Sequence, residues 1–257
     1  MRKITFFLAL LLFSTSSYSN NAYYITLSNQ KARKQDLEII TNNAANANTI
    51  GYEEDSAILS NLEVMQNSRK NNSFVFAKNM YKPGDLGALK QTNNPLDLAI
   101  VEKDMYFKIA TDSGIRYTLN GSMIRNSLGL LVNSEGYTYL SANNDALQVP
   151  PEAVDIKVSS DGTIYADGEE VTRVGVAYIQ DKNSLIKEAG TLYRSLTPEI
   201  PVDEYTIVSG ALRTSNVNAA RIMGQTIEAQ RSFSTTSTLL NEIGELEKQS
   251  VSRILKP

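Results

Sequence analysis

The chain reads as an α+β protein: discontinuous N- and C-terminal helices packed together in coiled-coil fashion, with a central antiparallel β domain inserted between them. Three observations predict this. Turn signals recur through the middle of the chain at Asp112-Ser113-Gly114, Asn120-Gly121, Ser134-Glu135-Gly136, Asp161-Gly162 and Asp167-Gly168. They separate short runs rich in Tyr, Val, Ile and Leu, the pattern of successive hairpins. The final segment switches to helical period, with Ala229, Phe233, Thr236, Leu240 and Ile243 spaced alternately by four and three, which is the spacing of a helix seam. Asparagine-rich motifs, Ala44-Ala45-Asn46-Ala47-Asn48-Thr49-Ile50-Gly51-Tyr52 and Ser215-Asn216-Val217-Asn218, stand near the two ends.

Taken in order, Met1–Ser19 has the parts of a cleaved signal segment. Arg2 and Lys3 open it, Ile4 to Phe13 form a nearly unbroken apolar run, and Ser17-Tyr18-Ser19 supplies small residues. The run is short of the ~20 residues needed to span a bilayer, so no stable membrane anchor is expected; a buried element of the folded domain is the competing reading. From Ala22 to Ala45, Tyr24, Leu27, Leu37, Ile40 and Ala44 sit at helical spacing, interrupted at Lys31 and Lys34. The Asn-rich stretch through Gly51 ends that helix. Ser56 to Met65 is expected to resume a helix, and Asn67 to Ser73 to form a loop. Hairpins are expected from about Phe74 to Val208, with connections at Pro150-Pro151 and between Pro198 and Pro201. Past Gly210, Ser215 is expected to cap the last helix. Ile222 and Ile254 extend its stripe, and the N-terminal helix is favoured over the β domain as the partner. The expected division is 1–19 as signal segment, 20–73 with 210–257 as the terminal helical module, and 74–209 as the β domain.

Composition narrows the chemistry. The 257 residues include 25 basic and 28 acidic side chains, a net charge of −3, which offers no electrostatic case for nucleic acid or an anionic membrane surface. There is no Cys and no His, which removes the thiol nucleophile, the disulfide, the thiolate metal site and the imidazole base. No phosphate loop, nucleophile elbow or metal-ligand spacing appears. Asp97, Glu102 and Asp104 form the nearest approach to a carboxylate cluster, and they read as strand-end charges. Arg231 stays open between an ion pair across subunits and a solvent-facing side chain. No catalytic residue, cofactor, metal or small-molecule substrate is assigned.

Several blocks together resemble the bacterial flagellar rod and hook family of axial proteins, most of all its proximal-rod type. The early motif is similar to that family's Ala-Asn-x-x-Thr-x-Gly-aromatic signature. Asn94-Pro95-Leu96-Asp97-Leu98-Ala99-Ile100 resembles its Asn-Pro-Leu-Asp-Leu-Ala-Ile block. Tyr117-Thr118-Leu119-Asn120-Gly121-Ser122 resembles its Tyr-Thr-Arg-x-Gly-x-Phe hairpin, with Leu119 and Met123 in place of Arg and Phe. Gly129-Leu130-Leu131-Val132 and Asp161-Gly162-Thr163-Ile164 fit the strands that follow. Gly210 to Asn218 resembles the Gly-x-Leu-x-x-Ser-Asn-Val block, and Ala229 to Phe233 the Gln-Arg-aromatic helix. The resemblance spans Asn20 to Pro257.

What it implies is a non-enzymatic, self-assembling subunit of the flagellar basal body, spanning the periplasm and serving motility. Its partners would be copies of itself and other rod and hook axial proteins. Its assembly residues would be Leu27, Leu37, Ile40, Ala44, Asn46, Asn48, Gly51, Ser215, Asn216, Val217, Asn218, Ile222, Ala229, Arg231, Phe233, Leu240, Ile243 and Ile254. The chain departs from the family where Glu102-Lys103-Asp104-Met105-Tyr106 replaces a Gly-x-Gly-aromatic-aromatic turn, and in carrying a signal-like start. A distal-rod or hook subunit, or a secreted periplasmic ligand-binding or enzymatic β domain with a helical stalk, is the competing expectation.

Overall fold

A computed structural model of the chain describes residues 16–66, 70–81, 86–181, 184–202 and 204–254. Among them are two long helices, α1 (Ser16–Ala45) and α2 (Ala219–Ile254), and eighteen strands. They divide into two compact units: the described parts of Met1–Asn42, Asp55–Met80 and Ala220–Pro257, and those of Asn43–Glu54 with Tyr81–Ala219. The fold is α+β, and each strand pairing with an assigned register is antiparallel.

In the first unit, α2 keeps the seam its sequence announces. Ile222, Ala229 and Thr236 are buried, and Thr226, Phe233, Leu240 and Ile243 are half-buried, alternating by four and three. The hydroxyls of its Ser- and Thr-rich middle are satisfied within the helix, bonding back to carbonyls one turn earlier. Thr235 donates to Arg231 O at 2.9 Å, Thr236 to Ser232 O at 2.8 Å and Ser237 to Phe233 O at 2.9 Å. On α1 the inward face is rotated about one position from the expected stripe. Ala32 and Ile39 are buried and Ile25, Asn29 and Asp36 half-buried, whereas Tyr24, Leu27 and Ala44 are exposed and Leu37 and Ile40 half-buried. That face carries small and polar residues, so hydropathy did not mark it. Gln30 Nε2 donates to Ser237 Oγ at 2.9 Å, and Asp36 feels the charge of Glu228. As numbering rises on one helix it falls on the other, so the two run antiparallel.

Asp36 gives this unit a pH dependence. Burial raises its carboxyl above the usual carboxylate range; Arg33 opposes the rise and Glu228 adds to it. A raised native-state pKa means the stabilisation is complete below the unfolded pKa and is lost as pH rises through the native one. Asp36→Asn is therefore expected to raise the helical melting midpoint near neutral pH and to flatten its acid dependence. Far-UV circular dichroism across a pH series measures this, and an unchanged or lower midpoint contradicts it.

The strands β1 (Asp55–Gln66) and β2 (Lys70–Tyr81) form a two-stranded sheet in the same unit. This corrects the helix expected over Ser56–Met65 and the loop expected to run to Ser73; residues 67–69 lie outside the described residues. The apolar spacing of Ile58, Leu59, Leu62 and Val64 suits either period, and pairing with a neighbour decides between them.

The second unit is built on β5 (Met105–Thr111), which pairs with β6 (Gly114–Thr118), β9 (Thr138–Tyr139) and β13 (Val176–Tyr178). The nine-stranded sheet is completed by β7 (Ile124–Arg125), β8 (Leu131–Val132), β14 (Leu185–Ala189), β15 (Leu192–Ser195) and β16 (Ile200–Pro201). Pro201 sits on the short strand β16, which pairs with β13 off the main path of the sheet, the kind of edge position where proline is tolerated. A three-stranded sheet, β10 (Ile156–Val158), β11 (Thr163–Ala166) and β12 (Glu169–Arg173), lies beside it in sequence. Leu98, Phe107, Ile109, Leu131, Tyr139, Leu147 and Ile164 form the buried centre.

Four of the five turn signals close hairpins, at β5–β6, β8–β9, β10–β11 and β11–β12. Asp167 and Gly168 both take positive φ, 51° and 91°, as a two-residue primed turn requires. Asn120-Gly121 does not turn a hairpin. Its glycine is required by space: a Cβ there would stand 1.9 Å from Leu98 O and 2.8 Å from the Phe107 ring.

Candidate assembly interface

Inside the β unit the early and late motifs meet. The strand β18 (Ala211–Arg213) pairs with β3 (Leu89–Gln91), and β17 (Ile207–Ser209) pairs with β4 (Leu98–Ile100). Beyond β18 the chain runs alongside residues 51–54. Gly51 N donates to Arg213 O at 2.8 Å, Asn216 N to Tyr52 O at 3.4 Å and Glu54 N to Asn216 Oδ1 at 2.7 Å. Thr214 N donates to Ala88 O at 2.9 Å. The Asn-rich motif is itself a sequence of tight turns, with Thr49 N on Asn46 O at 3.1 Å and Thr49 Oγ1 on Asn46 Oδ1 at 3.1 Å. Tyr52, fully buried, donates its hydroxyl to Asn43 Oδ1 at 3.0 Å.

Buried charge locks this junction. Arg213 is 6% exposed, and its guanidinium donates to Gly87 O at 2.9 Å, to Ile100 O, and to Val101 O at 3.4 Å. Burial pulls its pKa below the ordinary value, and the charges of Glu53 and Glu102 partly restore it. Glu53, also buried, accepts from the Tyr106 hydroxyl at 3.4 Å. Lys187 Nζ donates to Glu53 O at 2.7 Å and stands 3.6 Å over the Tyr52 ring, a cation–π placement.

The expected assembly residues fall into distinct places. Gly51, Asn216 and Val217 lie in the junction, with Val217 buried. Ser215 does not cap α2, which begins four residues later; its Oγ accepts from Val217 N at 3.2 Å and shapes the approach. Asn218 stands directly before the helix. Ile222, Ala229, Phe233, Leu240 and Ile243 line the inner face of α2 with Ile222 and Ala229 buried, and Arg231 is exposed. Leu37 and Ile40 are half-buried; Leu27, Ala44 and Asn48 are exposed and Asn46 is half-buried. The Ile254 side chain lies outside the described residues, as do residues 1–15 of the expected signal segment; Ser16–Ser19 open α1.

The carboxylates serve backbone geometry. Burial pushes Glu102 up, but the hydrogen bond from Thr206 N at 3.0 Å and the Arg213 charge outweigh it and hold the carboxyl below its usual range. Asp97 O accepts from Gly210 N at 2.8 Å and Ala211 N at 3.2 Å. Asp104 adopts φ 67°, a left-handed conformation at the position where the family resemblance leads one to expect glycine. Among the described residues no group of three or more Asp or Glu side chains is placed to hold a metal. Sequence reasoning missed Glu53, Lys187 and Arg213. Their burial depends on partners far along the chain, and no local pattern signals it.

Comparison with known proteins bears on the same segments. Residues 100–166 match the family described as flagellar hook protein FlgE/F/G D1 domain, and residues 208–253 the one described as flagellar basal body rod FlgEFG protein C-terminal. The chain is similar to flagellar basal-body rod protein FlgF of Caulobacter vibrioides, 28% identical over 92% of this chain and 99% of the relative. It is 30% identical to the FlgF protein of Rhizobium meliloti, over 88% of this chain and 94% of the relative. Flagellar basal-body rod protein FlgG of Bacillus subtilis is 27% identical over 89% and 97%.

Proposed function

Since the chain belongs to the flagellar basal-body rod protein family, we propose that it is a structural, non-enzymatic subunit of the rod's proximal part, polymerising with copies of itself and other rod and hook axial proteins to carry torque. The observation that carries this reading is the near end-to-end match to relatives named as basal-body rod proteins. The four-three spacing on the inner face of α2 and the antiparallel bond between Gln30 and Ser237 support helix packing in coiled-coil fashion as the basis of the polymer core. In this reading segments 20–73 and 210–257 form the terminal helical module used in polymerisation, and 74–209 forms the β domain. The rod crosses the periplasm, and N-terminal sequencing of assembled protein reads whether Met1–Ser19 is removed.

Phe233→Asp is expected to block incorporation while the β unit stays folded. An unpaired charge on the seam costs on the order of 3 kcal/mol through desolvation. Mass spectrometry of purified basal bodies is the test; normal recovery of the variant together with normal motility would reject the seam.

A further inference from the structure

Among the described residues, Lys108 is a buried cation that the rod reading leaves without a role. Lys108 on β5 is 3% exposed. Its ammonium donates to Ala142 O at 3.0 Å, Asn144 Oδ1 at 2.6 Å and Glu199 Oε1 at 3.4 Å. Tyr117 donates its hydroxyl to the other Glu199 oxygen at 3.0 Å. The turn bearing Asn144 is fixed: Asn143 N and Asp145 N both donate to Ser141 Oγ at 3.2 Å, and Asn144 itself holds φ 66°. An amine, a carboxamide and a carboxylate thus converge, the first of them buried. Oδ1 at 2.6 Å places the amide carbon no more than about 3.8 Å from the amine, one C=O bond further on, close to a near-attack separation.

We propose that Lys108 and Asn144 form an autocatalytic isopeptide cross-link, with Glu199 as the proton carrier. Glu199 Oε1, 3.4 Å from the Lys108 ammonium, is placed to accept one of its protons. The freed Nζ lone pair attacks Asn144 Cγ. The new Nζ–Cγ bond forms as the Cγ–Nδ2 bond breaks. Glu199 relays the protons given up by the amine to the departing nitrogen, which leaves as ammonium, and Glu199 ends as carboxylate. No oxidant or co-reactant is consumed. The bond would tie β5 to the turn after β9.

Intact mass spectrometry of the purified full-length chain tests this. The wild-type protein is expected to be lighter by one ammonia than its sequence requires, with tandem spectra joining the Lys108 and Asn144 peptides and no tryptic cleavage after Lys108. Lys108→Arg and Glu199→Gln, checked as folded by circular dichroism, are expected at full mass. Folded wild-type protein at full mass, Asn144 hydrolysed to aspartate in its place, or an ammonia loss that persists in Lys108→Arg would each overturn the proposal. These outcomes do not depend on whether the chain assembles into a rod.

Discussion

Arg213→Ala is expected to destabilise the β unit by about 3–5 kcal/mol, the usual result of removing one member of a buried charged network. The substitution strips donors from the carbonyls of Gly87, Ile100 and Val101 and removes a positive charge that interacts with Glu53 and Glu102. Against a total stability of about 5–15 kcal/mol, such a loss removes about a fifth of it or more. Urea denaturation followed by near-UV circular dichroism measures it. Arg213→Lys is expected to recover part of the loss, because it keeps the charge but lacks the planar fork that spans several carbonyls. A change below about 1 kcal/mol for the alanine variant, the range of an ordinary surface substitution, would show that the guanidinium is not what closes the junction.

Gly51→Val is the second large effect. Gly51 has φ 69°, and a Cβ there would meet Asn120 N at 2.4 Å and Leu119 C at 2.5 Å. Both obstacles are backbone, so no rotamer change relieves them. The left-handed conformation alone costs a side-chain-bearing residue about 1–2 kcal/mol, and overpacking adds about 1–3 kcal/mol. The hydrogen bond from Gly51 N to Arg213 O should open as the chain shifts away, and its amide should exchange with solvent much faster than in the wild type. A variant that melts with the wild-type protein would contradict the close approach. Gly51→Ala should show the same direction with a smaller effect.

The sequence pattern reveals these elements unequally, for physical reasons. The face of α2 is legible because its apolar residues keep one spacing over several turns. That of α1 is obscured because Asn29, Ala32 and Asp36 occupy inward positions. The β1–β2 pair is misread because a short apolar run fits two periods, and only a hydrogen-bonding neighbour selects one. Asn120-Gly121 has the composition of a tight turn, yet its glycine answers to the crowding of Leu98 and Phe107, residues that local patterning does not bring near. The two asparagine-rich motifs meet, as their places near the chain's ends suggest, but inside the β unit and not in the helical module expected of them. The buried charges around them are not anticipated, since a Lys or Arg looks the same in sequence whether it ends in water or beneath a sheet.

The bond between Thr214 and Ala88 also bears on how much variation the inserted domain tolerates. These residues lie 126 positions apart, yet their backbones are in direct contact. For a segment pinned at its own neck, the entropy of closing the loop grows only with the logarithm of length, by about 0.6 kcal/mol per doubling. The neck therefore sets the geometry that the flanking chain meets, and exposed turns within the segment that make no contact with residues 51–54 can lengthen or shorten at small thermodynamic cost. Insertions at the exposed turn Ser134-Glu135-Gly136 are where that latitude would first be seen.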